Sequence, residues 1–194
     1  EYNFQQIVFN NVRISVPAEE GKGNSREGVS SRLEILNIET LNRREIYGKD
    51  GLFEAPNWSL TEQKLLFNEG GKLYKIPVRG GEPQMIESGE LNNFNNDHGI
   101  SPDGKWIAAS NGDEGIGSRI YIIPYEGGKP KLVTEKGPSY WHGWSADSKK
   151  LAYVAGREIS EHYDIYEIKR NGGKEKRLTS SYCLDDGPDY SLDG

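Results

Sequence analysis

The chain has 194 residues and a formal net charge of −6, from 24 basic and 30 acidic side chains. This acidic balance, without any long Lys/Arg cluster, argues against a nucleic-acid-binding surface, which needs basic groups to neutralise phosphates. The longest uncharged apolar stretch, residues 120–125, is far shorter than the ~18 residues that a membrane-spanning helix requires. The single cysteine, Cys183, excludes an internal disulfide bond.

The first 50 residues contain three candidate strands and one polar segment. Residues 33–38 and 43–47 have the length and apolar content of short strands, and they match the third and fourth strands of the repeated unit described below. Residues 7–16, which end before Pro17, are predicted to be an earlier strand of the same unit. Between them, residues 18–31 are polar and glycine-rich, which predicts an exposed loop.

From residue 57 onwards, one pattern recurs four times. An aromatic or apolar residue is followed by a serine and a turn sequence, and the serines are 42, 44 and 46 residues apart. These anchor serines are Ser59, Ser101, Ser145 and Ser191. A fixed period of this length indicates a repeat architecture. Because a serine stands at the same place in every unit, we interpret it as structural and not as a catalytic nucleophile.

Each anchor serine precedes the same series of short elements. An apolar strand comes first, then a strand with an Ile-Tyr or Leu-Tyr pair, a glycine pair and a short closing strand. The apolar strands are predicted at residues 64–67, 105–109 and 150–154, the second strands at 73–76, 120–123 and 165–168, and the closing strands at 84–86, 131–134 and 176–179. A glycine pair suits a tight reversal that requires positive φ. With the strand before the serine, four strands in ~44 residues are typical of a β-propeller blade.

The sequence therefore predicts an all-β protein, with one β-propeller domain of four-stranded antiparallel blades over residues 1–194. A partial opening blade, three full blades and the first strand of another amount to about four blades. The chain stops at Asp193 and Gly194, in the middle of a turn whose outgoing strand should follow. Because a propeller closes a ring to cover its blade faces, we expect the sequence to be incomplete at its C-terminus.

The repeated units resemble those of the TolB-like propellers. That repeat carries an aromatic residue, Ser-Pro-Asp-Gly-Lys, an apolar strand, an Ile-Tyr strand and a Gly-Gly turn, and the resemblance covers residues 33–194. Residues 101–105 match the turn in full, whereas residues 60–63 and 146–148 replace Pro-Asp-Gly. The resemblance implies a ring of six blades when complete, and a periplasmic or secreted location. It is closest to the stand-alone propellers of the family.

Candidate functional residues are those that differ between units just before the anchor serine, where the innermost strand starts at the rim of the central channel. His98 and His142 both stand three residues before their serine, so we expect both imidazoles at the same channel mouth. The candidate ligand-binding residues are Glu54, Asn96, Asp97, His98, Tyr140, Trp141, His142 and Asp186. Loops at 111–118 and 156–162 add carboxylates on this face, and an acidic mouth favours cations or a basic partner.

No catalytic signature accompanies these residues. The sequence has no P-loop, no His-Glu-x-x-His zinc motif, no paired Cys-x-x-Cys and no twelve-residue calcium loop. We therefore predict a non-catalytic scaffold, with no cofactor and no metal, that binds a protein, peptide or small molecule at the channel mouth. Two alternatives stay open. One is a metal-assisted lyase or hydrolase, as in oligogalacturonide lyases with similar repeats, and the other is the gating propeller of a prolyl-oligopeptidase-like enzyme.

Overall fold

The computed structural model describes residues 6–14, 28–59, 61–157, 162–191 and 193. Within these ranges the chain forms strands, turns and loops, and no segment forms a helix that is long and apolar enough to cross a membrane. All strand pairs are antiparallel and belong to four separate sheets, which we number as blades in chain order.

Blade 1 has three strands and the other blades have four. Blade 1 contains β1 (Gln6–Ile14), β2 (Val29–Asn37) and β3 (Arg43–Asp50). Blade 2 contains β4 (Phe53–Trp58), β5 (Lys64–Glu69), β6 (Lys72–Pro77) and β7 (Gln84–Met85). Blade 3 contains β8 (Phe94–Ile100), β9 (Trp106–Asp113), β10 (Gly117–Pro124) and β11 (Lys131–Leu132). Blade 4 contains β12 (Ser139–Trp144), β13 (Lys150–Ala155), β14 (Asp164–Lys169) and β15 (Lys176–Arg177). The predicted all-β, four-stranded antiparallel blades are confirmed, and each blade pairs its strands in chain order.

Consecutive blades stand side by side with their innermost strands together. Strand β4 contacts β8, and β8 contacts β12; each innermost strand also contacts the second strand of the preceding blade, as β8 contacts β5 and β12 contacts β9. The hydrophobic core is divided in the same way. Each of its three clusters of buried side chains combines residues of two neighbouring blades. Burial of one large apolar side chain stabilises a fold by about 1.5–3 kcal/mol, so these inter-blade layers hold the blades together.

The glycine pairs identify the strands of blade 1. In blade 4, a Cβ on Gly172 would lie 3.2 Å from the carbonyl oxygen of Val133, just after the outer strand of blade 3. In blade 2, a Cβ on the equivalent Gly80 would lie 3.1 Å from the carbonyl oxygen of Ile46, inside β3. Strand β3 is therefore the outer strand of its blade. This agrees with the prediction that residues 33–38 and 43–47 form the third and fourth strands, and it makes β1 the second.

Two predictions about segment boundaries need correction. The predicted exposed loop at residues 18–31 falls mostly on residues 18–27, which lie outside the described residues. Its end is not a loop, because Val29 begins β2 and Ser31 is fully buried, where its hydroxyl accepts a hydrogen bond from the backbone N–H of Phe53 at 3.3 Å. The predicted first strand of a further blade is also not formed. The described residues between Leu178 and Ser191 contain no strand, since an innermost strand needs the next strand of its own blade to pair with.

The anchor serines are structural, as predicted. The Ser101 hydroxyl donates to Asp103 Oδ1 at 2.6 Å and accepts from the Trp106 backbone N–H at 3.0 Å. Ser145 is buried and makes the same pair of bonds, to Asp147 Oδ1 at 2.7 Å and from the Lys150 backbone N–H at 2.8 Å. In blades 3 and 4 the hydroxyl thus closes the turn between the first two strands.

Candidate functional site

A β-bulge interrupts the innermost strand of blades 2, 3 and 4, near the end where the strand begins. The register breaks lie between Glu54 and Asn57, between Phe94 and His98, and between Trp141 and Gly143. A bulge leaves residues out of the hydrogen-bonded ladder and turns their side chains in a new direction. Most of the predicted ligand-binding residues lie in or beside these bulges, so the bulges decide where each side chain points.

His98 and His142 are not equivalent positions, and the prediction that they are is wrong. In β8, His98 lies opposite Ala109, which stands eight residues after its anchor serine. In β12, the residue opposite the corresponding Tyr153 is Trp141, and His142 is the extra residue of the bulge. The physical reason is that the bulge precedes the histidine in one strand and contains it in the other, so equal spacing from the serine hides a shift of one ladder position.

His98 is a buried connection between blades 2 and 3. Its side chain is 3% exposed, with Nε2 3.2 Å from Asn68 Oδ1 and Nδ1 3.3 Å from Asn57 Nδ2. The Asn57 amide also donates to the His98 carbonyl oxygen at 3.1 Å. Burial lowers the pKa of His98 from 6.5 to about 3, so the ring is neutral. The network assigns the tautomer in which Nε2–H donates to Asn68 and Nδ1 accepts from Asn57. Both ring nitrogens are therefore engaged within the protein.

Trp141 is also part of the blade packing and not of the predicted binding site. It is 8% exposed and belongs to the core between blades 3 and 4. A Cβ on Gly99 would lie 2.2 Å from the Cη2 atom of the Trp141 ring, so the indole covers that glycine closely. Its backbone N–H donates to Ser110 Oγ at 2.8 Å. The indole fills the space between two blades and presents no face for a ligand to stack on.

His142 is directed to a partly exposed acidic cluster. Its Nε2 lies 3.1 Å from Asp186 Oδ1, and the two side chains are 25% and 59% exposed. Asp97 lies near both side chains. Burial raises the pKa of Asp97, the imidazole of His142 lowers it, and the carboxylate of Asp186 raises it further. Asp97 Oδ2 accepts a hydrogen bond from the Asn95 amide at 2.8 Å. We call Asp97, Tyr140, His142 and Asp186 the mouth cluster.

Tyr140 connects the mouth cluster to an aromatic neighbour. Burial raises the pKa of the Tyr140 hydroxyl, and the nearby Tyr163 and Asp97 raise it further. The rings of Tyr140 and Tyr163 are 6.1 Å apart between centroids and are tilted by 49°. Both tyrosines line a cavity of about 290 Å³, which we call the Tyr140 cavity; its other lining residues are Val154, Leu184 and Asp186.

Glu54 and Asn96 do not line the Tyr140 cavity. Together they line another cavity, of about 420 Å³, between the hairpin of β5 and β6 and the start of β8. Asn96 is exposed and Glu54 is half-buried. Of the eight predicted site residues, the structure therefore brings four together, assigns His98 and Trp141 to the joints between blades, and places Glu54 and Asn96 in the lining of a second cavity.

The comparisons with known proteins agree with this geometry. No family model matches the chain. The chain is 44% identical over 165 residues to an uncharacterised protein of Agrobacterium fabrum, covering 84% of this chain and 56% of that protein. It superposes with a TM-score of 0.78 on a solved structure assigned to TolB from Agrobacterium tumefaciens, at 44% identity over 85% of this chain and 59% of that one. The chain has a TolB-like β-propeller fold. TolB from Acinetobacter baumannii shares the fold at 20% identity and a TM-score of 0.71, over 84% of this chain and 41% of that structure.

The TolB-like chain spans less than two thirds of the length of each of these relatives. The number of blades in the complete ring therefore stays a prediction. The role of the mouth cluster likewise stays a prediction.

The hairpins predicted to enrich the mouth in carboxylates do so only in part. Asp113, at the end of β9, accepts hydrogen bonds from Arg119 Nε at 2.5 Å and from the Tyr121 hydroxyl at 2.6 Å. Although burial alone would raise the pKa of Asp113, these two bonds hold it below its usual value. Its charge is thus compensated locally. Glu158 and Glu161 of the other hairpin lie outside the described residues.

Two features of the TolB-like chain were missed by sequence reasoning. Tyr163, the partner of Tyr140, stands at the end of the predicted 156–162 loop, and an aromatic residue flanking a mouth-side loop was an available signal. The Asn57 and Asn68 partners of His98 were also missed, although Asn68 is a polar residue in an otherwise apolar strand and is 5% exposed. Within the described ranges, no three His, Cys, Asp or Glu side chains are grouped closely enough to hold a metal ion.

Proposed function

We propose that this TolB-like chain is part of a non-catalytic binding scaffold, and that the mouth cluster is where a protein, peptide or small molecule binds. One observation carries the proposal. The bulge in β12 turns His142 out of the ladder and directs it to Asp186, in the segment that follows blade 4, where both side chains stay partly exposed. The repeated Ser101 and Ser145, by contrast, close turns inside their blades.

The electrostatics of the mouth cluster support a binding role and indicate its sign. The cluster contains two carboxylates, Asp97 and Asp186, and one imidazole, so acidic side chains outnumber basic ones. Asn95 steadies Asp97 through its side-chain amide at 2.8 Å, and the Asp97 backbone N–H donates to Asn95 Oδ1 at 3.0 Å. A fixed negative charge on partly exposed groups attracts cationic partners.

The experiment is a thermal-unfolding comparison on the full-length protein that carries this chain. Small-molecule and protein fractions of the source cells are added separately to the wild type and to a His142→Ala/Asp186→Asn double variant. A ligand that binds the native state raises the midpoint of unfolding. We expect one fraction to raise the midpoint of the wild type by at least about 2 °C, as ~1 kcal/mol of binding energy does, and to leave the variant unshifted.

A matched control separates the mouth cluster from acidic residues in general. Asp147 pairs with Lys149 at the anchor turn of blade 4, at the other end of β12, and its side chain is 55% exposed, close to the 59% of Asp186. Asp147→Asn should keep the wild-type response. Equal responses of the wild type and the double variant would move the site elsewhere, and chemical conversion of the bound compound would overturn the non-catalytic assignment.

A further inference from the structure

The Tyr140 cavity combines two kinds of surface that suit one kind of ligand. Tyr140 and Tyr163 provide aromatic faces, and Val154 and Leu184 provide aliphatic contact. Asp186, which contacts His142, adds a carboxylate to the lining. An aromatic and aliphatic wall with a single carboxylate is complementary to an apolar stem that carries a positive charge.

The negative charge beside this cavity lacks a strong basic partner within the protein. Over the ranges that the structure describes, neither Asp97 nor Asp186 has a lysine or arginine nitrogen within 4.0 Å, and the basic group near both is the imidazole of His142. Other partly buried carboxylates differ in this respect. Asp113 is paired with Arg119, and Glu175 is paired with Arg157 at 2.9 Å. The mouth cluster is thus a place where an added cation would find uncompensated charge.

On these grounds, and resting on the proposed function, we propose that the Tyr140 cavity binds an organic cation, an ammonium or guanidinium group on an aliphatic stem. The cation lies between the tyrosine rings and the Asp186 carboxylate, so that ring faces and carboxylate attract it together. The cavity volume of about 290 Å³ is at the lower end for ligand pockets, which run from about 300 Å³ upwards, so it accepts a group of side-chain size.

The same chemistry disfavours a hydrated inorganic cation in this cavity. Calcium and magnesium are held by six or more oxygen ligands, including several carboxylates or carbonyls. The Tyr140 cavity offers one carboxylate and two phenol groups among aliphatic contacts, which cannot replace the hydration shell of a small ion. An organic cation is already weakly hydrated along its stem and gains from the apolar walls.

The cation can come from a free amine or from a lysine or arginine side chain of a partner protein. Calorimetric titration of the full-length protein distinguishes these sources with four probes. The free cations are n-butylammonium and agmatine, and the side-chain mimics are blocked Gly-Lys-Gly and Gly-Arg-Gly peptides. Neutral counterparts, n-butanol and blocked Gly-acetyl-Lys-Gly, have similar stems without the charge. We expect at least one cationic probe to bind about tenfold more tightly than its neutral counterpart, equivalent to 1.4 kcal/mol.

Variants locate the binding. Asp186→Asn should weaken binding of the cation about tenfold, whereas Asp147→Asn, of similar exposure, should leave it unchanged. Tyr163→Leu removes a ring face and should weaken binding several-fold, and Tyr163→Phe, which keeps the ring, should restore it. The unfolding midpoint of each variant without ligand shows whether it is folded.

The outcomes separate this inference from the proposed function. Binding of the free amines alone identifies a small-molecule ligand, and binding of the peptides identifies a basic partner. Equal binding of the neutral probes, or binding that ignores both Asp186→Asn and Tyr163→Leu, overturns the cation assignment. If no cation binds but a cell fraction still stabilises the wild type and not the double variant, the cation assignment is wrong and the binding scaffold stands. If neither response is seen, both are wrong.

Discussion

Two joints between neighbouring blades lie at equivalent positions of the repeat, but one is polar and the other is apolar. The joint between blades 2 and 3 consists of His98, Asn57 and Asn68, and the joint between blades 3 and 4 consists of Trp141, Gly99 and Ser110. In the first, a small polar ring is held by two amides. In the second, a large indole lies on a glycine, and the serine accepts a backbone hydrogen bond.

The comparison shows that the facing residues of a joint match the ring they receive in both size and polarity. Asn57 and Gly99 each stand two residues before their anchor serine, and Asn68 and Ser110 each stand nine residues after it. Where the incoming ring is large, these positions carry small residues, and where it is a polar imidazole, they carry amides that satisfy it. A buried polar ring without partners would cost free energy, whereas a buried indole needs mainly space.

The largest expected effect is at the apolar joint. Trp141→Ala should lower the free energy of unfolding by about 3–5 kcal/mol, because it leaves a cavity over Gly99 that the backbone cannot fill. The indole Nε1 has no hydrogen-bond partner among the described residues, so the loss would come from packing. Urea denaturation of the full-length protein measures it. A loss below about 1 kcal/mol would contradict the assignment of Trp141 to the core.

The polar joint should respond to loss of its hydrogen bonds. His98→Leu keeps similar volume but leaves the buried Oδ1 of Asn68 without the ring N–H that pairs with it, whereas the half-buried Asn57 amide keeps two backbone carbonyl acceptors. An unsatisfied buried group costs about 1–3 kcal/mol, so we expect a loss of that size in the same denaturation experiment. His98→Gln, which keeps a donor and an acceptor, should be less damaging. Equal stability of His98→Leu and wild type would show that the network is not stabilising.

The pH dependence of stability should also distinguish this joint. The folded-state pKa of His98 is lowered to about 3 from 6.5, so between these values the unfolded chain binds a proton at this position and the native state does not. Stability is therefore fully present above pH 6.5 and is lost as the pH falls, by about 1.4 kcal/mol per pH unit. His98→Gln should remove this slope. Asp97, whose pKa is raised by burial, acts in the opposite direction, and the difference between wild type and variant cancels it.

The smallest effect on stability is expected at His142, the extra residue of the bulge in β12. His142→Ala should change the free energy of unfolding by no more than about 0.5 kcal/mol, because the side chain is partly exposed and lies outside the hydrogen-bonded ladder. The contrast with His98→Leu, measured under identical conditions, tests the non-equivalence of the two histidines directly. Similar losses in both variants would restore the equivalence that their spacing suggested.

The blades could be predicted because they rest on local chemistry that repeats. Gly80, Gly127 and Gly172 adopt φ values of about 81–90°, which non-glycine residues rarely adopt, so a glycine pair after an apolar strand indicates a reversal. The Ser101 and Ser145 hydroxyls close equivalent turns through bonds within six residues. Such features can be predicted from sequence because the residues that cause them lie within a few positions of each other in the chain.

Half of the candidate site could not be predicted, and for His98 and Trp141 the reason is the β-bulges in the innermost strands. Asp97, Tyr140, His142 and Asp186 lie together as their positions suggested, but His98 and Trp141 do not join them. A bulge is defined by which residues face each other across two strands, and neither its presence nor its position changes the count of residues to the anchor serine.

The order of residues along this chain was enough to establish an all-β repeat, the number of strands per blade and the structural role of its serines. These features depend on backbone preferences and hydrogen bonds between residues that are close in sequence. Which imidazole is buried and which meets a carboxylate was settled only when blades packed against each other. That choice depends on the volume and hydrogen-bonding groups of the facing blade. These come from residues thirty or more positions away in the chain, as for Asn68 and Asn57, which are 30 and 41 positions from His98.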